Sequence, residues 1–198
     1  GWTSEAGKNL AFSVLYNQKI EEISSLFTLN IIVALSVVEG LKTVSNLNFA
    51  IKWPNDILAE NKKIAGILIE NTFKNQNEVQ SIIGIGLNVN QSQFENLPQA
   101  SSLFLLENQL FDRNALLISI VNRLEFNLNQ LENLKEDYFW NTYHAILFKK
   151  EVVSTFESAL GNRFVGKIQK VTKDGKLEVL LEDDSITFFD VKEVKMLY

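Results

Sequence analysis

The sequence predicts an α/β fold of the α+β type: a β-sheet flanked by helices, with a tiny β-barrel behind it. Three observations carry that expectation. Apolar β-rich runs recur over residues 10–16, 49–53, 64–70 and 79–89, separated by segments with helical period. The run VQSIIGIGLNV (79–89) is almost continuously apolar, the pattern of a strand buried on both faces and covered by helices. From about Lys149 short strand-like pieces follow one another, punctuated by Gly161, Gly166 and Asp174-Gly175.

In chain order, LAFSVLY (10–16) reads as a short buried strand. Residues 29–44 read as a helix, because Ile31, Ala34, Leu35, Val38 and Leu41 recur at the spacing of one buried face. The strand at 49–53 should stop at Pro54, and Asn55-Asp56 suits a turn leading to the next strand, 64–70. Residues 91–110 show no period, so they suggest a functional lid or a concealed short element. Asp112 can cap a helix whose face is Leu116, Ile120, Leu124, Leu128 and Leu131, and a further helical piece covers 136–147. Strands at 151–156, 163–172, 177–181 and 185–190 complete the chain, with Asp174-Gly175 as a hairpin turn.

At 198 residues the chain is long enough for one good core and a satellite, here divided as residues 1–149 and 150–198. An apolar content of 46% excludes disorder for the bulk. A net charge of −5 without a long basic run argues against nucleic acid as a partner. The absence of cysteine excludes disulfides, thiolate metal sites and thiol nucleophiles, and is compatible with a reducing, cytoplasmic compartment. The most apolar tract, LNIIVALSVV (29–38), carries no charge but is too short to span a bilayer, so no membrane partner is expected. The opening GWTSEAGKN lacks a methionine and reads as the start of a fragment.

The stretch IKWPNDILAENKKIAGILIEN (51–71) crowds lysines between two apolar runs. On an alternating strand Lys52 points opposite to Trp53, so an inward Trp53 leaves Lys52 on the other face, needing water or an anion. Lys63 stands at the mouth of the following strand. If the two strands pair around NDILAENK, both ammonium groups reach one cleft, where they repel unless an anion joins them. Lys62 reads better as a solvated tip. Gly66, and Gly84 and Gly86 in GIGLN, sit in strands that glycine weakens, so either close packing or a flat ligand requires them. Asn88 can offer a donor and an acceptor to a base or ribose edge. Asp56 and Glu70 are the acidic candidates, either for orienting a lysine or for standing near a magnesium held by phosphates. His144 is the only histidine and belongs to a helix surface; Ser4 has no histidine beside it, which argues against a serine triad.

The ordered set KWPND (52–56), KKIAGILIE (62–70) and GIGLNVN (84–90) closely resembles the bacterial biotin–protein ligases, the biotin–[acetyl-CoA-carboxylase] ligases. GWTSEAGKNLAFSVLY and SSLFLLENQLFDRNALL resemble further parts of that family, so the likeness covers nearly the whole chain. The resemblance implies a class II synthetase-like biotin/lipoate ligase fold: a mixed sheet flanked by helices, with a small SH3-like barrel at the C-terminal end. It implies that biotin and ATP, with Mg²⁺, form biotinyl-5'-AMP, and that biotin then passes to a lysine of a biotin carboxyl carrier protein. Lys63 would contact biotin and its activated carboxyl group, and Lys52 the phosphates. Asn55 and Asp56 would shape the nucleotide and metal side. Trp2 would cover the adenylate, Gly66 would line biotin, and Gly84, Gly86 and Asn88 would hold adenine and ribose. No metal ligand of the protein's own is expected. Phe94 and Phe104 both qualify to close over adenine.

The family's glycine/arginine-rich loop and the segment before it are not in this sequence, and neither is the DNA-binding domain of repressor-type members. A chain of these residues alone is expected to bind biotin feebly. Three alternatives stay open: a lipoate–protein ligase, an inactive ligase remnant that binds the carrier, and a nucleic-acid-binding barrel domain, the last disfavoured by charge. A homodimer through sheet edges fits the family.

Overall fold

The computed structural model describes residues 4–19, 26–74, 78–95, 97–130 and 136–198. Among the described residues the fold has two antiparallel sheets and four helices. The first sheet holds β1 (Leu10–Lys19), β2 (Phe49–Lys52), β3 (Asp56–Ala59), β4 (Lys62–Phe73) and β5 (Glu78–Leu87), in the order β1-β5-β4-β3-β2. Every ladder in it is antiparallel, which corrects the expected mixed sheet. For β2 to β5 the cause is the short connections, since a hairpin cannot join parallel strands; β1 pairs antiparallel with β5 from a distant part of the chain.

The stretch read as a turn between two strands contains a strand of its own. Asp56–Ala59 lies between the expected partners, so the strand ending at Lys52 and the one beginning at Lys62 do not pair with each other. Glu60 and Asn61, both at positive φ, form the two-residue loop joining β3 to β4.

The apolar run of β5 is not buried on both faces. Val79, Ser81, Ile83, Ile85 and Leu87 are buried, while Ile82 is 45% exposed and Gly84 and Gly86 are half-exposed. Leu15 and Leu68 stand on the same open face as Ile82. Helix α1 (Leu26–Leu41) packs on the opposite face, against β2, β3 and β4.

Helix α1 contacts both the sheet and other helices, so the single buried face expected of it becomes burial nearly all round. Its outer side meets α3 (Arg113–Asn129) and α4 (Glu136–Ala145). Asp112 caps α3 as expected, accepting from the Asn114 and Ala115 amides. Leu116, Ile120 and Leu124 are buried and Leu128 is partly so; Leu131 lies outside the described residues. The buried Asn127 amide donates to Ser36 Oγ at 3.0 Å, a polar pin between α1 and α3. Within the unpatterned 91–110 segment lies α2 (Leu103–Glu107), capped by Ser102.

The second sheet comprises β6 (Val153–Ser158), β7 (Arg163–Val171), β8 (Leu177–Leu181), β9 (Ile186–Phe189) and β10 (Val194–Leu197), ordered β10-β6-β7-β8-β9. This overturns the expected closed SH3-like barrel: β9 and β10 are the two edges and form no ladder with each other. The sheet's apolar face instead buries Phe156, Ile168, Val171, Leu177 and Val179 in the same core as the helices and the first sheet. Trp53 Nε1 donates to the Gly175 carbonyl at 2.9 Å, and His144 packs on Val171. An open sheet with a neighbour to lean on need not close on itself. The Asp174-Gly175 turn forms as expected, with Gly175 at φ 86° and pressed against Phe27. The fifth strand, β10, had no signal in the sequence reading.

Helices α1 and α3 cross at Gly40, where an added Cβ would stand 2.7 Å from Ile120 Cγ1 and 2.9 Å from Ile120 Cα. Because backbone cannot swing away, Gly40→Ala should destabilise the fold by about 1–3 kcal/mol despite alanine's better helix propensity. A fall in the urea midpoint without a change in slope is the expected reading.

Candidate functional site

The open face of the first sheet carries a trough of about 630 Å³, lined among others by Ser13, Asn55, Asp56, Lys63, Gly66 and Gly84. The ladder builds it row by row. Lys52 pairs with Asp56, Asp56 with Gly66, Gly66 with Gly86, and Gly86 with Ala11. One row across all five strands thus begins with a cation and an anion and continues as a floor of residues with little or no side chain. The next row, Leu68–Gly84–Ser13, lies alongside.

Lys63 and Gly66 are three residues apart, so a regular strand would send them to opposite faces. A bulge prevents this. Asp56 pairs with Gly66 and Ile57 with Ala65, but Leu58 pairs with Lys63, which leaves Ile64 as the extra residue of β4. The slip returns Lys63 to the face of Asp56 and Gly66, the re-aiming that bulges characteristically perform. Lys63 Nζ lies 2.5 Å from Asp56 Oδ1, and Lys52 Nζ lies 3.9 Å from Asp56 Oδ2. Two ammonium groups therefore share one carboxylate on the same face, and the cluster keeps a net positive charge for an incoming anion. Trp53 is buried on the inner side, as the alternation required. The lysine groups do meet, although Asp56, rather than a direct pairing of their strands, brings them together.

A Cβ at Gly66 would point at Lys63 Cε and Nζ, both at 3.6 Å, and one at Gly84 would approach the Leu68 carbonyl oxygen at 3.4 Å. Helices cover the other side of the sheet, so helix packing does not explain these glycines; the trough does. The bare backbone suits a flat ligand lying against it.

A sequence profile described as the Biotin/lipoate A/B protein ligase family matches residues 2–88. The bifunctional ligase/repressor BirA of Bacillus spizizenii is 27% identical over the whole of this chain and 58% of its own length. The biotin–[acetyl-CoA-carboxylase] ligase of Mycobacterium tuberculosis is 31% identical over 67% of this chain and 49% of its own. The Aquifex aeolicus biotin protein ligase, solved with biotin and ATP, matches at a TM-score of 0.78 and 26% identity, over 96% of this chain and 78% of that one. In sequence and in fold the chain is similar to the biotin protein ligases. It spans about half the length of the curated relatives it matches.

Several expected site residues are apart from the trough. Asn88 is buried, donating its amide to the Ser101 carbonyl at 3.0 Å, and does not line the cavity. Asn55 lines it while donating to the Ile67 carbonyl at 2.7 Å. Glu70 is exposed beyond the trough's end, and neither Phe94 nor Phe104 lines it. Trp2 lies outside the described residues. Lys62, expected as a solvated tip, donates to the Pro98 carbonyl at 2.7 Å and so ties down the 97–101 segment. His144 serves packing: its Nε2 sits 3.0 Å from both the carbonyl oxygen and the amide nitrogen of Val171. Ala11 and Ser13 were missed. Their signal was the alternation of small and large residues in LAFSVLY, which places small side chains opposite Gly86 and Gly84.

Burial lowers the Lys52 pKa from its ordinary 10.5; Asp56 opposes that shift, and Lys63 and Lys195 reinforce it. Between the lowered native value and the unfolded value the unfolded chain holds more protons, so Lys52 makes stability rise with pH in that alkaline window. Below the window its buried charge is a cost. Urea midpoints measured from pH 8 to 11 should show this rise for the native protein and a flatter profile for Lys52→Met.

Proposed function

We propose that this chain carries the catalytic part of a biotin–[biotin carboxyl-carrier protein] ligase. The observation that carries the reading is the Lys52–Asp56–Lys63 cluster standing at one end of a glycine floor. Biotin and ATP are the substrates. A biotin carboxylate oxygen attacks the α-phosphorus of ATP, the bond to the bridging oxygen breaks, and pyrophosphate leaves. The carrier's lysine, as a neutral amine, then attacks the acyl carbon of biotinyl-5'-AMP; AMP leaves and the amine's proton is released.

The first step brings anions together, and fixed cations stabilise the charge that builds on the phosphoryl oxygens. Lys63, over Gly66, would touch biotin and its activated carboxyl group; Lys52 would face the phosphates. Asn55 and Asp56 would border the nucleotide, with Gly84 and Gly86 beneath adenine and ribose. The trough's size suits a small organic ligand. Asp56 is already shared by two lysines, and among the described residues no group of three or more His, Cys, Asp or Glu side chains could hold a metal. Mg²⁺ would therefore arrive on the ATP phosphates. In this reading residues 1–149 form the catalytic domain and 150–198 a satellite. Among the described residues no helix is long and apolar enough to cross a membrane.

The test is pyrophosphate release by the full gene product, measured with ATP and Mg²⁺. Release should require biotin and should not respond to lipoate; the reverse preference would make the protein a lipoate ligase. Lys63→Ala should slow release by about 10²-fold, and unchanged turnover would remove Lys63 from the chemistry. A second assay scores biotin on the carrier's lysine.

A further inference from the structure

The second sheet sends one residue into the cluster. Tyr198 follows β10, and its ring centroid lies 5.1 Å from Lys52 Nζ. Phe148 meets the same ring edge-on, with centroids 5.1 Å apart. Phe148 is itself fastened beside Lys52, since its amide donates to the Ile51 carbonyl at 2.8 Å. The Tyr198 main-chain carbonyl accepts from the Gln99 side-chain amide. Gln99 in turn accepts the Lys63 amide at 2.7 Å. Tyr198 is thus tied to both lysine-bearing strands, by its ring on one side and its backbone on the other.

We infer that Tyr198 is a positioning residue for Lys52, holding the ammonium group over its ring and within reach of Asp56. The small cavity beside Lys52, about 110 Å³, is lined by apolar side chains and by Lys195, a like charge. Asp56 lies at 3.9 Å, already engaged at 2.5 Å by Lys63. A half-buried cation with one shared counter-ion and a like-charged neighbour has few favourable places to sit. The negative face of an aromatic ring is one of them. The phenol's raised pKa, caused first by burial and then by the Asp56 charge, agrees with a ring packed at this cluster.

This inference rests on the ligase reading for its binding arm alone. In that arm, ATP affinity is measured by calorimetry on the full chain. Tyr198→Phe keeps the ring and should keep affinity. Tyr198→Leu should weaken it about fivefold, the size of one cation–π contact. In a Lys52→Met background the same Tyr198→Leu change should cost less than twofold, because a residue acting through Lys52 has nothing left to act on. An equal loss in both backgrounds, or a loss in Tyr198→Phe as large as in Tyr198→Leu, would overturn the assignment.

The second arm needs no ligand. In the native protein the Lys52 ε-methylene protons, assigned by comparison with Lys52→Arg, should be shifted upfield by the Tyr198 ring. Unshifted protons would overturn the inference even if Tyr198→Leu failed to fold. If the native protein binds no ATP, the ligase reading fails while the upfield shift still decides the role of Tyr198.

Discussion

One carboxylate organises this site. Asp56 places a negative charge between Lys52 and Lys63, and without it two partly buried ammonium groups would repel each other at the trough's edge. The surrounding geometry follows from keeping Asp56 there. It opens β3, directly across the ladder from Lys52 on one side and Gly66 on the other. The bulge at Ile64 then turns Lys63 back toward it. A carboxylate shared between two cations leaves the cluster positive, so the trough is both assembled and still able to attract an anion.

The two faces of the first sheet divide the work. The inner face packs on α1, a helix buried almost all round because α3 and α4 cover its other side. That packing makes the strands a rigid platform, which is what positioning charged groups to within a fraction of an ångström requires. The outer face gives up side-chain volume at Gly66, Gly84 and Gly86 and so exposes backbone to whatever lies in the trough. Strand stability lost to glycine on one face is supported by the dense core on the other.

The second sheet is part of the same mechanical unit. Its apolar face leans on the helices and the first sheet instead of closing on itself, and Trp53, next to the Lys52 of the cluster, is pinned to its Gly175 turn. Tyr198 continues that connection to the lysine itself. A closed barrel would bury its own apolar face and have less reason to touch the main body.

What the chain determined locally was legible in advance. Asp112 capped the helix it preceded, Pro54 stopped its strand, Asp174-Gly175 turned a hairpin, and Trp53 inward meant Lys52 outward. Each follows from backbone geometry or side-chain alternation within a few residues. The motifs around Lys52, Lys63 and the glycines also pointed to the ligases that the chain resembles. Tertiary structure decided the rest. DILA is too short to separate from a turn by pattern, and becomes a strand only because β2 and β4 flank it. The bulge leaves no periodic mark, since one extra residue shifts register without changing composition. Whether an apolar strand is covered on one face or two, and whether a small sheet closes or leans, depends on which surfaces meet across the whole fold. Sequence spacing does not encode those long-range choices; burial of apolar area across distant segments makes them.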